Sequence, residues 1–271
     1  MVRKLENPKC EFVDTHAHLH MRQFDQDRED VIANFERDHI RFVVEVGVDI
    51  ESSLRVLKLS EKNERIFSAV GVHPHDVKIL KDEDLEKLKE LGRNEKVVAI
   101  GEIGLDFYRN LSPRDLQEEY FVKQIEIAKK LGKPIIVHVR DAYEEAVRIL
   151  RNHAHPNVIG VVHSFSGDYK DAKRIVEMGF KLGIGGPVTF KNNEKLREIV
   201  RKIDLKYILS ETDCPYLTPH PFRGKRNEPR FVRYVVEKVA LLKGEPVLKV
   251  AEILMENAIE LFGLDGAGMK R

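Results

Sequence analysis

Two histidines one residue apart, His16 and His18, close the first apolar run of the chain, in Phe12-Val13-Asp14-Thr15-His16-Ala17-His18. Side chains of a strand alternate faces, so residues two apart point the same way. Both imidazoles are therefore expected on one face at the strand's end, where a barrel enzyme presents metal ligands. His-x-His alone is a weak signal. Its weight comes from Glu102, His138, His163 and Asp213, each at or just after the end of a later apolar run. Four imidazoles and two carboxylates without a thiolate suit Zn²⁺, Mn²⁺ or Ni²⁺ better than an all-oxygen Mg²⁺ cage, although Mg²⁺ uses carboxylate-centred sites. Six ligands exceed one tetrahedral ion but fit two divalent ions sharing a bridging carboxylate. Two ions ~3.5–4 Å apart generate hydroxide as a nucleophile at neutral pH and clamp both the attacking and leaving oxygens of a phosphate. The expected chemistry is hydrolysis.

Bringing such distant residues together requires elements whose ends converge. Eight short, β-branched apolar runs occupy residues 12–18, 41–48, 66–72, 97–103, 134–139, 158–163, 180–184 and 207–209. Near-continuous Val/Ile runs suit strands buried on both faces of a parallel sheet. Between them apolar residues recur at helical spacing: Leu85, Leu88 and Leu91; Leu116, Tyr120, Phe121, Ile125, Ala128 and Leu131; Leu196, Ile199, Val200 and Ile203; Phe231, Val232, Val235 and Val239. A last helical stretch covers 246–261. Ser112-Pro113 reads as an N-cap with proline at the first helical position, and Gly132-Lys133-Pro134 as a stop. Eight alternations within 271 residues, near the roughly 250 typical of the fold, point to an α/β (β/α)8 TIM barrel in a single domain. A doubly wound sheet is the runner-up. The barrel is favoured because it lets all eight strand ends meet at one site.

Composition narrows the partners. With 46 basic against 45 acidic residues the net charge is +1, so phosphate binding must come from local clusters. Cys10 and Cys214 are far apart and form no Cys-x-x-Cys pattern, which favours a reducing compartment. The first nine residues carry no apolar leader core, and no apolar stretch approaches the ~20 residues of a membrane span. The expectation is a soluble, cytoplasmic monomer with no protein partner indicated. A charged fraction of 34% without Trp is compatible with a thermophilic source or with ordinary outer-ring helices.

Further chemistry-bearing residues share these strand ends. His73 ends the third run, followed by His75, and Glu211 precedes Asp213. Asp14 has the parity of His16 and His18, and Glu211 that of Asp213, so either carboxylate is placed to orient a ligand imidazole. A simple buried, hydrogen-bonded carboxylate would make much the same contacts.

These stretches resemble the TatD family of metal-dependent deoxyribonucleases, within the amidohydrolase-like metal barrels. Matching segments are Asp14-Thr15-His16-Ala17-His18-Leu19, Gly71-Val72-His73-Pro74-His75, Gly101-Glu102-Ile103-Gly104-Leu105-Asp106-Phe107-Tyr108-Arg109, His138-Val139-Arg140-Asp141-Ala142, His163-Ser164-Phe165-Ser166-Gly167 and Glu211-Thr212-Asp213-Cys214-Pro215-Tyr216-Leu217. Arg223-Gly224-Lys225-Arg226-Asn227-Glu228-Pro229 and Asn257-Ala258 also fit, so the resemblance covers about residues 12–262. Val139, Ser164 and Ala258 depart from the family pattern without removing a ligand. The resemblance implies that His16, His18, Glu102 and Asp213 hold one ion (Zn, Mn or Mg) and Glu102, His138 and His163 the other, with Glu102 bridging. It also makes Asp213 the choice for general base. His73 is then near enough to contact the phosphate or protonate the leaving oxygen.

A phosphodiester needs cations, and Arg140 with the loop residues Arg223, Lys225 and Arg226 are the candidates. Tyr216 and Phe222 flank that loop and are placed to stack an end base. A 3′ exonuclease acting on single-stranded or frayed DNA ends is the expectation, with little sequence preference. The enzyme alternative is a hydrolase of a small amide, lactone, phosphotriester or aminoacyl ester. Many barrels of that kind bridge their metals with a carboxylated lysine, whereas Glu102 holds the strand-four position here. A noncatalytic binding barrel is the alternative of another class.

Overall fold

The apolar runs form one parallel sheet of eight strands in strict chain order, β1 to β8. The structure is a computed structural model that describes residues 10–264; residues 1–9, expected to lack a leader core, lie outside them. The strands are β1 (Phe12–Ala17), β2 (Ile40–Val46), β3 (Ile66–Val70), β4 (Val97–Asp106), β5 (Ile135–Arg140), β6 (Gly160–Val162), β7 (Lys181–Ile184) and β8 (Ile208–Ser210). Helices α1 (Arg28–Ala33), α2 (Ile50–Glu61), α3 (Asp82–Leu91), α4 (Arg114–Leu131), α5 (Tyr143–Ile149), α6 (Tyr169–Glu177), α7 (Glu194–Lys202) and α8 (Val232–Lys243) follow the strands in turn. A ninth helix, α9 (Val247–Phe262), ends the described chain. This is the expected TIM barrel. Among the described residues no helix is long and apolar enough to cross a membrane.

Strand alternation sorts the core into two layers. Phe42, Val44, Val46, Phe67, Ala69, Val98, Ile136, Val161 and Leu209 pack inside the barrel, together with Ala258, Leu261 and Phe262 of α9. That helix therefore plugs the end of the barrel away from the site, and Asn257 Nδ2 ties it to the carbonyls of Leu205 and Ile208 at 2.7 and 2.9 Å. The complementary strand faces pack outward against the helical ring.

The seam between β1 and β8 closes mostly through side chains. Thr15 Oγ1 donates to Ser210 O and Ser210 Oγ to Val13 O, at 3.0 and 2.9 Å. Backbone pairing follows just past β8, from Asp213 N to His16 O (2.8 Å) and from His18 N to Cys214 O (2.9 Å). The closure thus sets both histidines beside Asp213.

Two local expectations change. The α4 helix begins at Arg114 with Pro113 outside it as the cap residue, because Ser112 does not cap: its hydroxyl donates to His75 O at 2.7 Å and accepts from Lys78 N at 3.2 Å. The buried face of α4 also carries two glutamines. Gln124 bonds both backbone groups of Val72, and Gln117 accepts from Asp106 N while donating to Ser112 O. They fasten the ends of β3 and β4 where an all-apolar stripe would not.

Candidate metal centre

All six expected ligands meet at the carboxyl ends of the strands, around Glu102. Its Oε2 lies 3.4 Å from His16 Nε2 and 3.9 Å from His18 Nε2, while Oε1 lies 2.8 Å from both His138 Nδ1 and His163 Nε2. Asp213 Oδ1 completes the first group at 3.5 Å from His18 Nε2 and 4.0 Å from His16 Nε2. Three sets can gather ligand atoms within 4.8 Å of one another: His16, His18 and Asp213; His16, Glu102 and His163; His73, Glu102 and His138.

The donor set suits a divalent cation. His18 Nδ1 lies 2.8 Å from Val46 O, which fixes its proton there and leaves the Nε2 lone pair facing His16 Nε2 at 3.1 Å. Nδ1 of His16 and of His163 are buried without a hydrogen-bond partner. Burial opposes charge on Glu102, yet His163, His73, His138 and His16 hold it well below the usual carboxylate range. His163 is pushed well above its ordinary value against burial, by Glu102 and then Glu211. A buried carboxylate whose surrounding imidazoles compete for positive charge is the electrostatics of a cation site.

Asp213 is aimed by backbone in the left-handed region, φ 57°, a conformation a non-glycine residue keeps only where its surroundings impose it. Burial opposes its ionisation, but His18, His163 and His16 hold its carboxyl below the usual range. His73 lies with Nε2 3.5 Å from Glu102 Oε1. Its Nδ1 accepts from His75 N at 3.2 Å, so neutral His73 carries its proton on Nε2, facing the site. Burial, with His138 beside it, keeps its pKa well below the usual histidine value.

Asp106 was not among the expected site residues. Its Oδ2 lies 2.8 Å from His75 Nε2 and 3.3 Å from His138 Nε2. Burial opposes its charge, but His138, Arg109 N and His75 hold the carboxyl well below the usual range. Its signal is strand parity with Glu102, hidden because the fourth apolar run, residues 97–103, stops short while β4 continues to Asp106. Asp106→Ala is expected to weaken metal binding about 10- to 100-fold, read by titrating metal into stripped protein. Unaltered affinity would reduce Asp106 to a structural bond to His75.

Other candidates are placed differently. Asp14 does not reach a ligand imidazole: it accepts from Thr212 N (2.8 Å), Thr212 Oγ1 (2.5 Å) and His16 N (3.3 Å). Val13 packs in the barrel interior, which turns Asp14 away, and a register shift between Asp14 and Ala17 returns His16 to the mouth. Burial pushes the Asp14 carboxyl up to about 8. Glu211 does lie by a ligand, 3.7 Å from His163 Nδ1, while accepting from Ser164 N.

The cations divide. Arg226 is already neutralised, clamped by both oxygens of Asp27 at 2.7 Å and by Glu228 at 3.1 Å, so it is not free for phosphate. Arg223 stacks over Phe190 and donates to Thr218 O; Lys225 is exposed beside Phe222. Arg140 lies over Tyr108. Phe222 is committed to packing, stacked 4.8 Å from Phe231 and near Tyr234. Tyr216 stays 48% exposed.

Residues 13–263 match the profile of a family described as TatD related DNase. The metal-dependent hydrolase YabD of Bacillus subtilis is 46% identical over 252 residues, covering 93% of this chain and 99% of that protein. The metal-dependent hydrolase YcfH of Escherichia coli is 36% identical over 261 residues, covering 95% and 98%. The crystal structure of the Escherichia coli TatD homologue YjjV superposes with a TM-score of 0.88 at 32% identity, over 94% of this chain and 98% of that one.

Proposed function

The chain belongs to the TatD related DNase family and is a metal-dependent hydrolase; from that premise we propose that it cleaves phosphodiester bonds in DNA, as a 3′ exonuclease on single-stranded or frayed ends. The observation that carries this reading is the division of Glu102, one oxygen toward His16 and His18 and the other toward His138 and His163. In this reading His16, His18, Glu102 and Asp213 hold one divalent ion, and Glu102, His138 and His163 the second. Such a pair supplies activated water at neutral pH and neutralises phosphate charge.

The chain's own groups do the rest. Asp213, held ionised, accepts a proton from the attacking water at its carboxylate. His73 offers the Nε2 proton to a phosphate or leaving oxygen. Arg140, Arg223 and Lys225 attract the backbone, and Tyr216 is available to an end base. Phosphate contacts of this kind carry little sequence preference. Two free cysteines agree with a reducing cytoplasm, and we take the whole chain to act as a one-domain monomer.

The test is hydrolysis of 3′-labelled and 5′-labelled single-stranded DNA by stripped, metal-reloaded protein. Stepwise shortening from the 3′ end, abolished by EDTA, is expected. No cleavage by metal-loaded protein would overturn the nuclease reading in favour of a small ester, amide or aminoacyl substrate.

A further inference from the structure

Past the end of β4 the chain turns Phe107 inward beneath Arg114, whose guanidinium carbon lies 4.4 Å from its ring centroid. Its neighbour Tyr108 is left 62% exposed. The Arg140 guanidinium covers this ring, 4.0 Å from its centroid. The two residues meet because β4 and β5 are in register, Asp106 opposite Arg140, with Phe107 N donating to Arg140 O at 2.9 Å. Among the described residues Arg140 has no carboxylate within ion-pair distance, unlike Arg226, Arg174 and Arg148, which are all paired. Tyr108 and Arg140 each stand two residues beyond a group at the centre, Asp106 and His138 respectively.

We propose that Tyr108 and Arg140 form one platform for the nucleotide beside the scissile phosphate, the ring stacking its base and the guanidinium holding its phosphate. The inference rests on the phosphodiesterase reading and adds its substrate selectivity. Guanidinium N–H groups match phosphate oxygens, and an aromatic face accepts any base. A duplex base must first give up its pairing and its stacking on its neighbour to reach the platform, whereas an unpaired base does so at little cost. Preference for single strands then follows from Tyr108 rather than from the metal centre.

The experiment compares kcat/KM of the metal-loaded protein on two single-stranded oligonucleotides, one intact and one with abasic tetrahydrofuran units at its terminal positions. The wild type is expected to favour the intact strand about tenfold, chiefly through KM. Tyr108→Ala should lower that ratio several-fold, leaving only what Tyr216 contributes at the end base, and Tyr108→Phe, which keeps the ring, should restore it. The ratio is insensitive to the fraction of variant that folds. A wild type without base preference, or a Tyr108→Ala protein with the wild-type ratio, overturns the platform and leaves the nuclease reading intact. If the metal-loaded wild type cleaves neither strand, the nuclease reading itself fails and the platform with it.

Discussion

Glu102→Ala protein, stripped and reloaded with metal, is expected to lose about 10³-fold or more in kcat, on the order of 4 kcal/mol of transition-state stabilisation, and to hold less metal than the wild type. Among the described residues Glu102 is the one carboxylate that touches both halves of the centre, with His16, His73, His138 and His163 all within 3.5 Å of its oxygens. Removing it takes the shared anion from both groups at once, so extra metal should not rescue turnover. Glu102→Gln keeps the volume and removes the charge, and should fail alike if charge is what matters. Elemental analysis beside turnover decides the matter. A Glu102→Ala protein with full metal and near-normal rate would sink the shared-carboxylate arrangement.

A large loss of stability is expected for Gly104→Ala, on the order of 4 kcal/mol from backbone strain plus overpacking. Gly104 sits in β4 at φ +139°, and a Cβ there would lie 2.1 Å from His138 O and 3.0 Å from His138 C and N. Those are backbone atoms of the paired strand β5, so no side-chain rotation can relieve the contact. For a chain of this size the midpoint of thermal unfolding should fall by roughly 8–16 °C. Gly132→Ala serves as the comparison: its φ is +63° with nothing within 4 Å of the added Cβ, so only the left-handed penalty of about 1–2 kcal/mol applies. Equal midpoints for the two variants would mean that β4 and β5 separate more easily than their register implies. The choice of glycine here is dictated by the distance between two strands that must bring Glu102 and His138 together.

The parts of the site that were legible in the sequence are those carried by residue type at a strand's end. His16, His18, Glu102, His138, His163 and Asp213 were found that way, and all converge. Asp106 was missed because the apolar run fades at Gly104, although hydrogen bonding to β5 carries the strand on to Asp106. Asp14 was placed on the wrong face because a register shift within β1 breaks the parity that alternation assumes. Arg226 and Phe222 looked available for substrate because a basic, aromatic loop gives no sign of its partners.

By itself the sequence determined the order and type of the elements, and which side chains stand at the strand ends. Those properties depend on local periodicity, and neighbours along the chain are enough to specify them. Only the tertiary structure decided which charges find each other. Asp106 meets His138 across two strands, Arg226 meets Asp27 across 199 positions, and Asp14 meets Thr212 across 198. The first pairing needs β4 and β5 side by side in register; the other two exist because the barrel brings the β8 end back to β1, and closure is set by the packing of all eight strands together, which no local segment records.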